Sequence, residues 1–138
     1  AGVRAAAERH GKTAALQVIT GDFSIESGLH QAAALLEGEN RPTAIFCFSD
    51  EMAMGALEAI RRAGLICPRD VSLVGFDDIR FAEYLAPQLT TVSQPMDAIG
   101  YEVVRLLLDI LKGRATTLQQ VTLPHRLVVR ASTAPPPR

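Results

Sequence analysis

The chain has 138 residues, 48% of them hydrophobic, which is enough apolar material for one domain with a real core and argues against disorder. Its fourteen basic and fifteen acidic residues leave a formal charge of −1. The basic side chains are scattered, with only Arg61 and Arg62 adjacent, so nothing builds a stripe that could track a nucleic-acid backbone. The most apolar stretch, residues 99–111, is cut by charges well before the roughly 20 residues that a membrane span needs, and residues 1–11 lack the apolar centre of a secretory signal.

In chain order, residues 1–9 read as an alanine-rich helix stopped by Gly11, and residues 16–20 (LQVIT) as a strand ending at Gly21-Asp22. Ser24 is placed to cap a helix reaching about Leu36, with Ile25, Leu29, Ala32, Ala33 and Leu36 on one face. Gly38 and Pro42 end it. Residues 43–48 are an unbroken apolar strand, followed by Ser49-Asp50, where Asp50 is the expected cap, and by a helix over residues 51–63 with Gly64 as its stop. A third strand covers 71–76, and Asp77-Asp78 opens a short segment closed by Pro87. Strand-helix units with nearly continuous apolar strands specify a doubly wound parallel α/β sheet, because a strand covered on both sides has no polar face. Beyond it, residues 89–92 are β-like, 98–112 form one long apolar helix, and 121–129 contain β-like residues interrupted by Pro124. The tail, residues 134–138, is expected to be disordered and polyproline-like. An α/β unit that starts on a helix, with no strand before it, reads as a fragment of a longer protein.

Ligands of open parallel sheets sit beyond the carboxyl ends of the strands. Those positions hold Gly21-Asp22-Phe23-Ser24, Ser49-Asp50, Gly75-Phe76-Asp77-Asp78 and Ser93-Gln94-Pro95. Carboxylates and amides hydrogen-bond the hydroxyls or base edges of a ligand, and Phe23 offers a flat face to a sugar ring or base. Ser24 and Asp50 have an ordinary alternative as helix caps, and Phe23 one as core. Catalysis has little to build on. His10, His30 and His125 are far apart, no glycine-rich phosphate loop is present, and the acidic residues lack a nucleophilic or basic partner. The expectation is therefore no enzyme, no cofactor and no metal. Cys47 and Cys67 read as two reduced thiols, which leans cytoplasmic.

Residues 21–28 (GDFSIESG), 41–47 (RPTAIFC) and 50–56 (DEMAMGA) are joined by Gly64-Leu65, by 68–78 (PRDVSLVGFDD) and by 87–95 (PQLTTVSQP). In that order they resemble the lactose/galactose/purine-repressor family of bacterial transcription regulators. The resemblance covers about residues 1–130. It implies a repressor with an N-terminal helix-turn-helix and a two-lobed effector region similar to type I periplasmic binding proteins. Residues 1–95 would then be the C-terminal lobe, 96–113 a crossover helix of the other lobe, 114–133 the return segment and 134–138 the tail. The implied effector contacts fall on Phe23, Ser49, Asp77, Gln94, Met96 and Ile99, with Phe23 stacking on a sugar or a nucleoside/purine and Asp77 accepting its hydrogen bonds. Ser49 departs from the asparagine that many sugar-binding members carry, and the effector-gripping arginine of an Arg-x-x-Gly pattern would precede Ala1. The resemblance also implies a homodimer, with Met54, Leu57, Tyr84 and Leu85 as the candidate patch, and operator DNA bound only through the helix-turn-helix outside this chain. The competing reading is the ligand-binding lobe of a periplasmic solute-binding protein of an ABC transporter.

Overall fold

A computed structural model of the protein describes residues 2–114 and 119–137. Positions 1, 115–118 and 138, which the sequence reading assigns to the first helix, the return segment and the tail, lie outside the described residues. The order of elements is α1 (Gly2–Arg9), α2 (Ile25–Glu37), β1 (Ala44–Phe46), α3 (Asp50–Arg62), β2 (Ser72–Asp77), β3 (Thr90–Ser93), α4 (Met96–Leu111) and β4 (Arg126–Val128), with short 3-10 turns at Thr13–Ala15 and Arg80–Glu83. The strands form one open sheet in the order β1-β2-β3-β4. The first three are parallel and β4 runs antiparallel to β3. The fold is thus the expected α/β unit with a parallel-dominated sheet.

Local chemistry explains the helices. The Ser24 hydroxyl accepts the Ser27 N–H at 3.0 Å and so caps α2. In α3, Asp50 and Glu51 occupy the first turn and Arg61 and Arg62 the last, each sign matched to its end of the helix dipole. The chain then reverses at Gly64, whose φ of 70° lies in the left-handed region that glycine adopts freely. The two helices approach until backbone meets backbone. A methyl group on Gly28 would lie 2.6 Å from the Met52 Cα, and one on Gly55 would lie 2.5 Å from the Leu29 nitrogen. The core lies between this helix pair and one face of the sheet, with Ile60 of α3, Val71, Leu73 of β2 and Leu89 at most 1% exposed. Each such side chain contributes about 1.5–3 kcal/mol by leaving water.

The register pairs Phe46 with Val74 and Val74 with Thr90, so their side chains share the second face of the sheet. Continuous apolar strands led to an expectation of cover there too, yet Phe46 and Phe48 remain exposed, with Phe46 packing edge-on against Phe48 and Phe76. The expected strand over residues 16–20 is a clearer difference: the segment follows a 3-10 turn and pairs with nothing. β-branched side chains can propose a strand, but only a neighbour supplies its ladder hydrogen bonds. β1 is not that neighbour, because a cavity of about 450 Å³ lies between residues 16–19 and the outer side of β1. Among the described residues β1 consequently has no ladder partner on its outer edge, where parallel alternation turns the Ala44 and Phe46 peptide groups away from β2.

At the other end, the chain after β4 is tied down more than its composition suggests. Ser132 is 1% exposed; its hydroxyl donates to the Leu73 carbonyl at 2.6 Å and accepts the Thr90 N–H at 2.8 Å. The Ser72 hydroxyl exchanges two 3.0 Å hydrogen bonds with the Ala134 peptide groups. The tail expected to be loose from residue 134 is therefore anchored at its first residue, and prolines 135–137 follow exposed. Helix α4 has no buried residue and leaves Val103, Val104, Leu107, Leu108, Ile110 and Leu111 exposed.

Candidate functional site

The carboxyl ends of β1, β2 and β3 gather most of the candidate residues. Phe23 stands on the turn before α2 with φ of 70° and is 60% exposed, its ring open to solvent beside the strand ends. That turn is built by Asp22, whose carboxylate accepts the Ser24 N–H at 2.9 Å and the Ser24 hydroxyl at 2.6 Å. These hydrogen bonds hold the Asp22 carboxyl below its ordinary value.

Ser49 is 6% exposed, and its hydroxyl is already engaged: it accepts the Met52 N–H at 3.1 Å as the cap of α3 and donates to the Phe23 carbonyl at 3.4 Å. The structure thus corrects the expected cap. Ser49 performs that role, and Asp50 is the first residue of the helix, with its carboxylate turned inward and 0% exposed. One Asp50 oxygen accepts the Ile79 N–H at 2.9 Å and the other the Thr91 hydroxyl at 2.6 Å. Burial pushes the Asp50 carboxyl up, the two hydrogen bonds pull it down, and the charges of Asp77 and Asp78 push it up again, for a net rise.

Asp77 ends β2 with φ of 112° and Asp78 follows with φ of 57°. Two consecutive non-glycine residues in the left-handed region are held only where surrounding contacts fix them. Here they do. The Gln94 amide, just past β3, donates to the Asp77 carboxylate at 2.7 Å. Arg130, from the chain after β4, donates to the Asp78 carboxylate and to the Leu89 carbonyl, both at 2.8 Å. Burial raises the Asp78 carboxyl, but hydrogen bonds from Arg130 and Ser93 and the charges of Arg130 and Arg126 outweigh it and leave it below its ordinary value.

Met96 opens α4 and is 61% exposed. Ile99, one turn on, lines a cavity of about 320 Å³ together with Phe76, Gln94, Pro95, Glu102 and His125. Gln94 therefore connects the carboxylate of Asp77 to an apolar recess walled by α4. Phe23 and Ser49 form one group and Asp77 and Gln94 another, and Asp50 bridges them by reaching from the Ser49 cap to Ile79. The arrangement offers one aromatic face, one oriented carboxylate and one amide, which suits a neutral polar ligand with hydroxyl or amino donors. Among the described residues no three His, Cys, Asp or Glu side chains converge as a metal site would require, and His10, His30 and His125 are all exposed. Cys47 and Cys67 are free and buried.

Sequence reasoning missed Asp50 as an inward carboxylate, Thr91 as its partner and Arg130 as the clamp on Asp78. One signal was available for the first. A methyl group at Gly75 would overlap the Asp50 carboxylate, so the glycine before Phe76 marks a side chain crossing β2.

Comparison with known proteins places these observations. Residues 1–133 match the model of the periplasmic binding protein-like domain family. The chain is 43% identical over 120 residues to the HTH-type transcriptional repressor PurR of Salmonella paratyphi B, a match covering 87% of this chain and 35% of that protein. It is similar to a LacI family transcriptional regulator from Enterococcus faecium with bound ribose (TM-score 0.85, 32% identity, 97% of this chain and 50% of that one). It is also similar to the transcriptional regulator CelR in complex with cellobiose (TM-score 0.86, 34% identity, 95% of this chain and 40% of that one) and to a dimeric Lac repressor (TM-score 0.84, 35% identity, 98% and 49%). The chain spans about a third of the length of the curated relatives and about half of the structures it matches. No described helix is long and apolar enough to cross a membrane. With its parallel sheet and order of motifs, the chain belongs to the periplasmic binding protein-like domain family, in the form carried by regulators of the lactose/galactose-repressor type.

Proposed function

We propose that this chain is the effector-sensing and dimerisation portion of a bacterial transcriptional repressor and that it contributes binding, not catalysis. The ligand is a small polar molecule, a sugar or a nucleoside/purine, held at the strand ends by Phe23, Asp77, Gln94, Met96 and Ile99. The observation that carries this reading is the Asp77 carboxylate, fixed in a left-handed backbone conformation and aligned by the Gln94 amide at 2.7 Å beside an apolar recess. Phe23 supplies the stacking face. Ser49 acts at one remove, since its hydroxyl is spent on the α3 cap and on the Phe23 carbonyl. Relatives whose structures hold ribose or cellobiose support a sugar, and the PurR relatives are compatible with the nucleoside/purine alternative. The solute-binding reading draws less support, because the relatives compared are transcriptional regulators.

Operator DNA would be engaged by a helix-turn-helix outside this chain, in the cytoplasm, and ligand binding would bias the relative arrangement of two lobes and hence operator affinity. Met54, Leu57, Tyr84 and Leu85 form the proposed dimer patch. Leu57 and Leu85 also pack against the core, whereas Tyr84 is 68% exposed, so Tyr84 is the residue with most surface free for a partner.

The test is thermal unfolding of the protein against a panel of pentoses, disaccharides, nucleosides and purine bases. A ligand at a hundred times its Kd adds about 2.7 kcal/mol of stability. Asp77→Ala should remove that shift while the variant, somewhat less stable for want of the Gln94 hydrogen bond, remains folded. An equal ligand shift in the variant would overturn the assignment of Asp77.

A further inference from the structure

The repressor reading uses Asp77 and Gln94 directly but leaves unexplained why a carboxylate is buried beneath them. Asp50 is 0% exposed, at the start of a helix whose cap is already supplied by Ser49, so capping does not account for it. Its neighbours do. One oxygen accepts the Ile79 N–H at 2.9 Å, the other accepts the Thr91 hydroxyl at 2.6 Å, and the same hydroxyl lies 3.4 Å from the Asp78 N–H, which donates to it. The residues so gripped, Asp78 and Ile79, directly follow Asp77. Thr91 sits on β3, three residues before Gln94. A single buried side chain therefore ties α3 and β3 to the turn that carries the site carboxylate.

We propose that Asp50, acting through Thr91, is a positioning residue that holds the Asp77–Gln94 pair in its ligand-receiving geometry. The inference rests on the reading of Asp77 as a ligand contact. Three observations converge on it. The turn contains two successive non-glycine residues at positive φ, 112° and 57°, which relax to ordinary backbone angles unless restrained. The Asp50 carboxylate crosses β2 at Gly75, where a methyl group would overlap it, so the sheet itself leaves room for this side chain. Finally, Thr91 is 0% exposed and its hydroxyl has no role except to pass the restraint from Asp50 to the Asp78 backbone, where valine would fill the same space. Arg130 secures Asp78 independently through the 2.8 Å ion pair. Asp50 and Arg130 thus both restrain the residues that directly follow Asp77.

The experiment compares Thr91→Val, Thr91→Ser and the core control Ile60→Val in the full chain, by hydrogen exchange of the Gln94 side-chain amide and by the φ-sensitive amide coupling of Asp77 and Asp78. Ribose and adenosine serve as ligand probes in parallel. In Thr91→Val, exchange of the Gln94 amide should accelerate about tenfold and the couplings should move toward averaged values, because the restraint on the turn loses its hydroxyl. Thr91→Ser, which keeps the hydroxyl, should match the parent protein, and so should Ile60→Val despite its loss of stability. If Thr91→Val does not fold, Asp50→Asn keeps the side-chain volume while turning one acceptor into a donor, and it should produce the same acceleration. Unchanged Gln94 exchange in the folded variants, or equal acceleration in Ile60→Val, would overturn the proposal by reducing Asp50 to general stability. The probes separate the two readings. If neither binds the parent protein, Asp77 loses support as a contact for those ligands, and the Gln94 exchange still decides the positioning role. If one binds, Thr91→Val should weaken it about tenfold with Thr91→Ser unaffected.

Discussion

Replacing Gly55 with alanine tests the packing on which the site is mounted. The added methyl would lie 2.5 Å from the Leu29 nitrogen and 3.0 Å from the Gly28 carbonyl carbon, and would overlap the Ile25 carbonyl oxygen. Ordinary contacts need about 3.5 Å or more, so α2 must retreat by roughly 1 Å. Every obstructing atom is backbone, and no side chain can rotate away. Overpacking of this kind costs about 1–3 kcal/mol, toward the upper end where nothing yields. Alanine offsets about 1 kcal/mol of that through its better helix propensity, leaving a net loss of about 2 kcal/mol. For a chain of this size each kcal/mol lowers the midpoint by about 3 °C, so thermal unfolding followed by circular dichroism should show a fall of about 6 °C. Gly100→Ala on α4 is the matched control, because its methyl meets nothing within 4 Å. It should be neutral or raise the midpoint by up to about 3 °C. A midpoint that rises in Gly55→Ala would mean that propensity, not close helix contact, governs this position, and the reasoning would fail.

Two further outcomes follow from burial and charge. The Asp78 carboxyl, held below its ordinary value by Arg130 and Ser93 against the opposing effect of burial, stabilises the fold in full above its unfolded pKa of about 3.9. That contribution is lost as pH falls through the depressed native value. Arg130→Gln should therefore cost about 3 kcal/mol at pH 7 and flatten the loss of stability below about pH 4, as read from urea midpoints; an unchanged acid slope would refute the pairing. Burial pushes the Cys47 thiol up to about 12, with Asp50 adding to the rise, and the Cys67 thiol up to about 11. At pH 8 the folded protein should resist iodoacetamide at both cysteines and react only in denaturant, and rapid labelling of the native state would contradict their burial.

The strand ends that carry the candidate residues were legible because they can be read from hydrophobic runs. Asp77 and Gln94 each follow an apolar segment, and parallel topology then brings them within 2.7 Å. Ser49-Asp50 shows where such reading stops: both residue types cap helices, and which one turns inward depends on what lies across the sheet, here Thr91 and Gly75. Arg130 was invisible for a related reason. Its partners Asp78 and Leu89 are 52 and 41 positions away, and no local pattern marks a charge that closes such a distance. Residues 16–20 fail differently. Their β-branched side chains favour a strand, yet a strand is a property of two backbones, and the sequence specified only one.

The outer edge of β1 has a material consequence. Ala44 and Phe46 present peptide groups in the spacing of a ladder, and the neighbouring Phe46 and Phe48 rings give an approaching segment something to adhere to. An uncapped row of this kind is a template for cross-chain growth, and natural sheets blunt such rows with lysine, proline or a bulge. Residues 43–48 contain none of the three. That margin is about ten ångströms long, the length of three extended residues, so a backbone seated on it would find room for only a few ladder hydrogen bonds.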